Sequence, residues 1–461
     1  MSKKRAIPLF EDFPPVSAKE WKQKIQYDLK GADYNKELIW TSREGIHVKP
    51  FYHSEDIAGI STSTNLGHTW KIGHSLYAGN PKSANKRALK LLTNGVDVLH
   101  FNIPNKEVIP EDFLKDIDLD RIPVSFHFQF LSPSFMESLL KSVAKDRSNL
   151  YLNIDIIGNL ARSGNWFHNL EKDHEELELL LQTQVDNLLS IDTTLYENAG
   201  ADVVQQLGYG LAHAHEYVQH IYDKGLLKAL GKVTFKVSIG GNYFFEIAKL
   251  RALRLLWNTL MQDYDLDVEC HIVAEPSRRN KTLYDYNMNM VRTTSECMAA
   301  ILGGANVIYN QPYDTIYHKD NRFSNRIALN QLLILKEEAY FNAVHNVANG
   351  VYYIESLTTQ LAEKGLELFK SVEREGGFLR QLKNGTVQQK IKEAAKKQQA
   401  EFDQGTEVLV GTNKFMNGSD TMKSDVELYP FMKTRPRKTL IVPIIESRLA
   451  EAMEQKRLDD E

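Results

Sequence analysis

The chain has two cysteines in 461 residues, Cys270 and Cys297. That is too few to frame a secreted fold, and both read as small buried hydrophobes. It lacks a charge excess: 56 basic against 60 acidic residues leave a formal net charge of −4, without the basic density that nucleic acid demands. Lys433, Arg435, Arg437 and Lys438 stand beside prolines and read as a solvated linker. No run approaches the ~20 apolar residues that cross a bilayer, and the opening MSKKRAIPLFEDF has no apolar stretch behind its basic residues. The expectation is therefore no nucleic acid, no membrane and a cytoplasmic location. Gly240-Gly241 and Gly303-Gly304 lack the order of a phosphate loop and read as relief of crowding where strand meets helix. The 14 histidines show no metal-ligand spacing; His213 and His215 are two apart on an expected helix and do not share a face. Asp265 and Asp267 read as a solvated turn before a strand.

What is present is periodicity. With 42% hydrophobic and 25% charged residues the chain can bury a large core. Short β-rich runs at 70–77, 96–103, 124–130, 150–157, 188–192, 233–238, 268–273 and 305–309 alternate with helical patterns. Several have a strict period of two, as in Val124-Ser125-Phe126-His127-Phe128-Gln129-Phe130, the mark of a strand with two unlike faces. Eight such strands separated by helices point to an α/β fold, a (β/α)8 TIM barrel. Helices are expected at 81–93, 170–186, 327–347, 359–372 and 387–403. The divisions are an N-terminal arm and helix (1–60), the barrel with trailing helices (61–415) and a C-terminal extension (416–461). In the arm, a helix over 18–29 follows Ser17 with Glu20 three residues on, a capping box. In the extension, 444–457 reads as a last helix. Each extension is expected to drape over the barrel or a partner.

The stretch GGNYFFEIAKLRALRLLW at 240–257 is apolar around most of its circumference yet carries Glu246, Lys249, Arg251 and Arg254, so it is expected to lie between a core and something else. FFEIAKLRALRLLW also resembles a helix of the cobalamin-dependent acyl-CoA mutases, above all methylmalonyl-CoA mutase. Further matches recur in order: LIWTSREGIHVKPFY at 38–52, ENAGAD at 197–202, NMVRTTSECMAA at 289–300, FSNRIALN at 323–330, GVYYIESLT at 350–358, VEREGG at 372–377 and GTNKF at 411–415. The resemblance implies a barrel that holds an acyl-CoA thioester for radical rearrangement with adenosylcobalamin. A flavodoxin-like domain with a D-x-H-x-x-G motif supplies the cobalt ligand in that family.

No D-x-H-x-x-G occurs here, and some 45 residues after GTNKF are fewer than such a domain needs. The expectation is a barrel with N- and C-terminal extensions that lacks the cobalamin-binding flavodoxin-like domain. Where the family reads S-I-S-G-Y-H-M-Q-E-A-G, the chain reads SIDTTLYENAG at 190–200, placing Thr194 and Leu195 at the Tyr-His pair. The family's T-H-S-Q-T-S-G-W falls on IVAEPSRR at 272–279, which includes Ala274, and H-T-N-S falls on Tyr309-Asn310-Gln311-Pro312. The family's P-F-x-R-G-P-Y-A-T-M-Y loop is missing between Tyr52 and Trp70. The resemblance thus implies a small, non-catalytic subunit paired with a methylmalonyl-CoA mutase large subunit that binds the adenosylcobalamin, with no catalytic, cofactor or metal residue in this chain. Tyr243 to Trp257 and residues 1–35 are the expected interface, and homodimerisation of the chain alone is left open.

Two other readings stand beside it. One is a catalytic mutase barrel whose cobalamin domain is a separate chain. The other is an unrelated barrel hydrolase using His127, Asp155 and Asp192 at strand ends. Phe126, Phe128 and Phe130 either fill the channel that active relatives leave for the coenzyme A chain or face the other way.

Overall fold

Eight parallel strands close on themselves in the computed structural model, which describes residues 13–57, 59, 69–143, 147–183, 185–344, 346–432 and 437–461. They are β1 Lys71–Tyr77, β2 Val98–Ile103, β3 Val124–Phe128, β4 Leu150–Ile154, β5 Asn187–Asp192, β6 Val233–Ile239, β7 Cys270–Pro276 and β8 Val307–Tyr309. Each pairs with the next and β8 returns to β1, giving the closed (β/α)8 barrel. Every one of the eight expected runs carries a strand. Most of the missing loop between Tyr52 and Trp70 lies outside the described residues, as do the first twelve residues and most of the basic run at 433–438.

Alternation divides each strand between lumen and helices. On β3, Phe126 and Phe128 face the helices: Phe126 stacks on Phe101 and meets Phe113 of the Pro110–Leu114 helix, both at 6.3 Å. Phe128 and Phe130 pack on Phe135 of the Pro133–Lys141 helix at 6.0 and 5.1 Å. Phe126 therefore does not fill the channel, and Phe128 and Phe130 reach only the cavity at its carboxyl end. Period two leaves Ser125 and His127 to point inward, because the outer face needs the apolar area.

The Tyr243–Asp263 helix is covered on both sides, as its sequence demanded. The covering elements belong to the same chain: it packs on the Val203–Asp223 and Tyr352–Arg374 helices. It is thus mostly spent internally rather than offered to a partner. Its buried charges are each answered. Lys249 Nζ donates to Gln206 Oε1 at 2.8 Å and to the Ser238 carbonyl at 2.7 Å, and Arg251 meets Glu355 at 2.8 Å and Asn349 at 2.7 Å.

Several helix ends differ from expectation; the helix expected from 359, for one, begins at Tyr352. The helix expected over 170–186 ends at Leu181. The helix expected to reach 347 runs from Arg322 to Leu333, adds a π turn to Glu338 and stops before Tyr340, whose φ of 55° cannot continue it. The last helix begins at Glu451, not 444, because the amides of Ile444, Ser447 and Leu449 donate to carbonyls of Ala161, Asn198 and Arg279 at the barrel rim. Residues 440–449 thereby form an extended strap.

Replacing Glu355 by Ala leaves Arg251 charged and unpaired in the interior, and is expected to cost about 3–5 kcal/mol in urea denaturation. The double replacement Arg251→Met with Glu355→Leu should recover most of that loss.

Candidate functional site

The barrel lumen is polar and occupied by the chain's own side chains. His100 Nδ1 meets Ser125 Oγ at 2.9 Å, and Asn153 Nδ2 donates to the same hydroxyl at 2.7 Å and to the Phe126 carbonyl at 2.9 Å. Asn153 reaches inward because β4 breaks register between Tyr151 and Ile154, with Asn153 itself at φ 52°. Two ring pairs span the lumen: Tyr151 on His271 at 4.7 Å and His100 on Tyr309 at 5.6 Å. The Tyr309 ring lies so close to β1 that a Cβ on Gly73 would overlap it. What remains at this level is a cavity of about 190 Å³ lined by Ser125, Tyr151, Asn153, Thr234, His271 and Tyr309 among others.

At the carboxyl ends of the strands, where barrel enzymes place their chemistry, His127, Asp155, Asp192, Lys236 and Arg162 line a second cavity of about 310 Å³. The sequence-level trio His127, Asp155 and Asp192 is therefore brought together, yet both carboxylates are occupied. Asp155 Oδ1 accepts from Gly158 N and Tyr217 OH, both at 2.8 Å, and faces His213 Nε2 at 2.9 Å, while Oδ2 accepts from Asp192 N at 2.9 Å. His213 is held in turn by Tyr196 OH at 2.9 Å. Its neighbour His215 points away, to Glu373 at 3.0 Å and Tyr264 at 2.8 Å. Asp192 accepts from the amide and hydroxyl of Thr194 and pairs with Arg162 at 3.0 Å. Arg162 reaches on to Glu446 of the strap at 2.5 Å.

These contacts set the charges. Burial alone would raise both carboxyls, but the Arg162 and Lys236 charges hold Asp192 below the usual carboxylate range, and His213 with two backbone amides does the same for Asp155. Burial, aided by the Lys236 charge, pushes His127 down to about 4, so its imidazole is neutral at pH 7. Among the described residues no group of three His, Cys, Asp or Glu is arranged to hold a metal.

Above this layer the strap crosses the mouth of the barrel. Leu440 and Ile441 donate to the Gly164 carbonyl, and Gly164, at φ 76°, sits so tightly under Thr439 and Ile441 that a side chain would collide. Strap and rim border about 1080 Å³, lined by Leu195, Asn198, Arg278, Ile444, Glu446 and neighbours, with no histidine among the described residues.

The sequence pattern of the methylmalonyl-CoA mutase family matches residues 110–456. The chain is 31% identical over 450 residues to the methylmalonyl-CoA mutase small subunit of Porphyromonas gingivalis, covering 91% of this chain and 73% of that one. It is 27% identical over 450 residues to the small subunit of Streptomyces virginiae, covering 89% and 72%. With the methylmalonyl-CoA mutase of Rhizobium meliloti it shares 29% over 454 residues, 86% of this chain but only 64% of that protein. The chain belongs to the methylmalonyl-CoA mutase family.

Of the positions where it departs from the mutase motifs, three lie at the site. Thr194 turns its hydroxyl to Asp192, Leu195 lies under the strap, and Tyr309 fills the lumen. Two do not. Ala274 packs in the core between strands and helices while Val273 takes the lumen side, and Asn310 donates outward to Ala328 O at 3.0 Å and Gln331 Oε1 at 2.9 Å. The sequence reading passed over Lys236 and Arg162. Lys236 had a visible signal: in VTFKVSI it shares the polar face of Thr234 and Ser238.

A carboxyl held low in the fold stabilises it above the unfolded pKa of about 3.9, and that contribution fades as pH falls toward the folded value. Asp192→Asn should thus be clearly less stable than the parent in urea at pH 7, with the gap narrowing below about pH 4. A gap constant down to pH 3 would contradict this account of Asp192.

Proposed function

We propose that this chain is the small, non-catalytic subunit of a heterodimeric adenosylcobalamin-dependent methylmalonyl-CoA mutase. In this reading the large subunit carries the thioester, the cofactor and the isomerisation of methylmalonyl-CoA to succinyl-CoA. The observation that carries it is the occupied lumen: Tyr309 against Gly73, with His100, Tyr151 and His271 beside it, takes the axis a coenzyme A arm would need. The groups present also do not fit a corrin. Among the described residues the cavity over the mouth offers no imidazole for cobalt, and His213 has both ring nitrogens engaged below it.

The part left to this chain is support of its partner. In the Ala18–Asp28 helix no residue is buried, and Trp21 and Tyr27 stand 48% and 80% exposed. Trp21 meets Phe51 only edge-on, at 5.7 Å, and a helix that buries no residue leaves apolar area that favours a second chain as its cover. The names of the P. gingivalis and S. virginiae relatives support a large subunit in that place.

Co-expression with a mutase large subunit should give a one-to-one complex that turns over methylmalonyl-CoA, while this chain alone turns over none even with adenosylcobalamin. Trp21→Glu with Tyr27→Glu should abolish co-elution without shifting the melting temperature of the isolated chain. Failure of the unaltered chains to associate would remove the subunit reading.

A further inference from the structure

Cations inside this chain are matched one by one. Lys281 Nζ binds both Glu296 oxygens at 2.8 and 2.9 Å and Asn280 at 2.6 Å. Arg448 binds Glu454 at 2.6 Å and the carbonyls of Lys281 and Pro430 at 2.9 and 3.0 Å. Lys249 and Arg251 are paired as described above. Lys236 is the exception. It projects from the middle of β6 into the lumen and lines the 310 Å³ cavity, but among the described residues no hydrogen bond or ion pair within 4 Å reaches its Nζ. Asp192 and Glu275 are its nearest counter-charges by electrostatic weight, and Asp192 is already held by Arg162 and Thr194.

An amine without a protein partner in a polar cavity is available to a ligand, and the rest of the cavity says which kind. Its carboxylates are already engaged, Asp192 by Arg162 and Thr194 and Asp155 by His213, Tyr217 and two amides, so none is on offer to a cation. One side is apolar, formed by Phe128, Phe130, Leu131 and Phe167. The cavity also holds a free acceptor: Asn153 Oδ1 is buried with no donor, and Asn153 is among the lining residues. A small molecule with a short alkyl part and one uncharged electrophilic carbonyl satisfies all three.

We propose that Lys236 is a reversible covalent binding site for a short-chain aldehyde, captured as an imine in the cavity between β3, β4 and β5. The neutral amine adds to the carbonyl carbon, forming the N–C bond as the oxygen takes up a proton. The resulting hydroxyl donates to Asn153 Oδ1, then leaves with a second proton as water while the C=N bond forms. One aldehyde and one amine give one imine and one water, and nothing is oxidised or reduced. The neutral His127 imidazole on the same cavity wall is placed to take and return the proton. Burial also lowers the basicity of Lys236, against the pull of Asp192 and Glu275, which enlarges the fraction of free amine. The site does not rest on the subunit reading, since Lys236, Asn153 and His127 lie outside the mutase motif stretches.

The test is reductive trapping of the full chain at pH 7 with propanal and sodium cyanoborohydride, followed by peptide mass mapping. Propylation should saturate with propanal and favour Lys236 over the solvent-exposed Lys24 and Lys224 by about tenfold or more. Lys236→Arg, which keeps the charge and removes the nucleophile, should lose that adduct while the exposed lysines react as before. His127→Ala should slow trapping at Lys236 without lowering its plateau. Propylation of Lys236 no faster than the exposed lysines, or without saturation in propanal, would overturn the proposal whatever the variants do.

Discussion

A closed barrel of eight strands has one interior, and side chains that fill it deny its axis to a long ligand. Here the filling is polar, so each group must be matched: His100, Ser125 and Asn153 bind across three neighbouring strands, and the Tyr309 ring is accommodated only because β1 carries Gly73. A polar interior of this kind stabilises one arrangement and penalises partial opening, since a broken member leaves its partner buried and unsatisfied. The other departures from a mutase site follow. With the axis closed, Thr194 need only brace Asp192, Leu195 is free to be apolar, and the mouth can be crossed by the strap.

The same logic of matched burial governs the outside of the barrel. The charges of the Tyr243–Asp263 helix point into carbonyls, amides and carboxylates of neighbouring elements, which fixes how the Val203–Asp223 and Tyr352–Arg374 helices dock. Such pairs add little net stability over apolar residues of similar volume, but each is costly to break, so they specify one packing. The strap is tied by the same device, through Glu446, Arg162 and Asp192.

Much of this was legible in the sequence. The barrel was, because period two in VSFHF and VTFKVSI belongs to each strand by itself. The unusual helix at 240–257 was, because its charges fit no solvent stripe. Which face of β3 turned inward was not, since period two is symmetric until the flanking Phe113 and Phe135 are known. The strap was misread as helix because IIESRLAEAMEQ has helical composition, while the carbonyls that draw Ile444, Ser447 and Leu449 out of it come from residues far away in sequence. Ala274 and Asn310 were singled out by motif alignment, which has no view of side-chain direction. Lys236 was missed because attention went to residues the mutase motifs had lost.

The central claim is that this interior has no room for a coenzyme A arm. Isothermal titration of the isolated chain with succinyl-CoA tests it most directly. The account predicts no saturable heat, and no change when Gly73→Val crowds the lumen further. One-to-one binding that weakens when the ligand is cut back to its nucleotide end would contradict it.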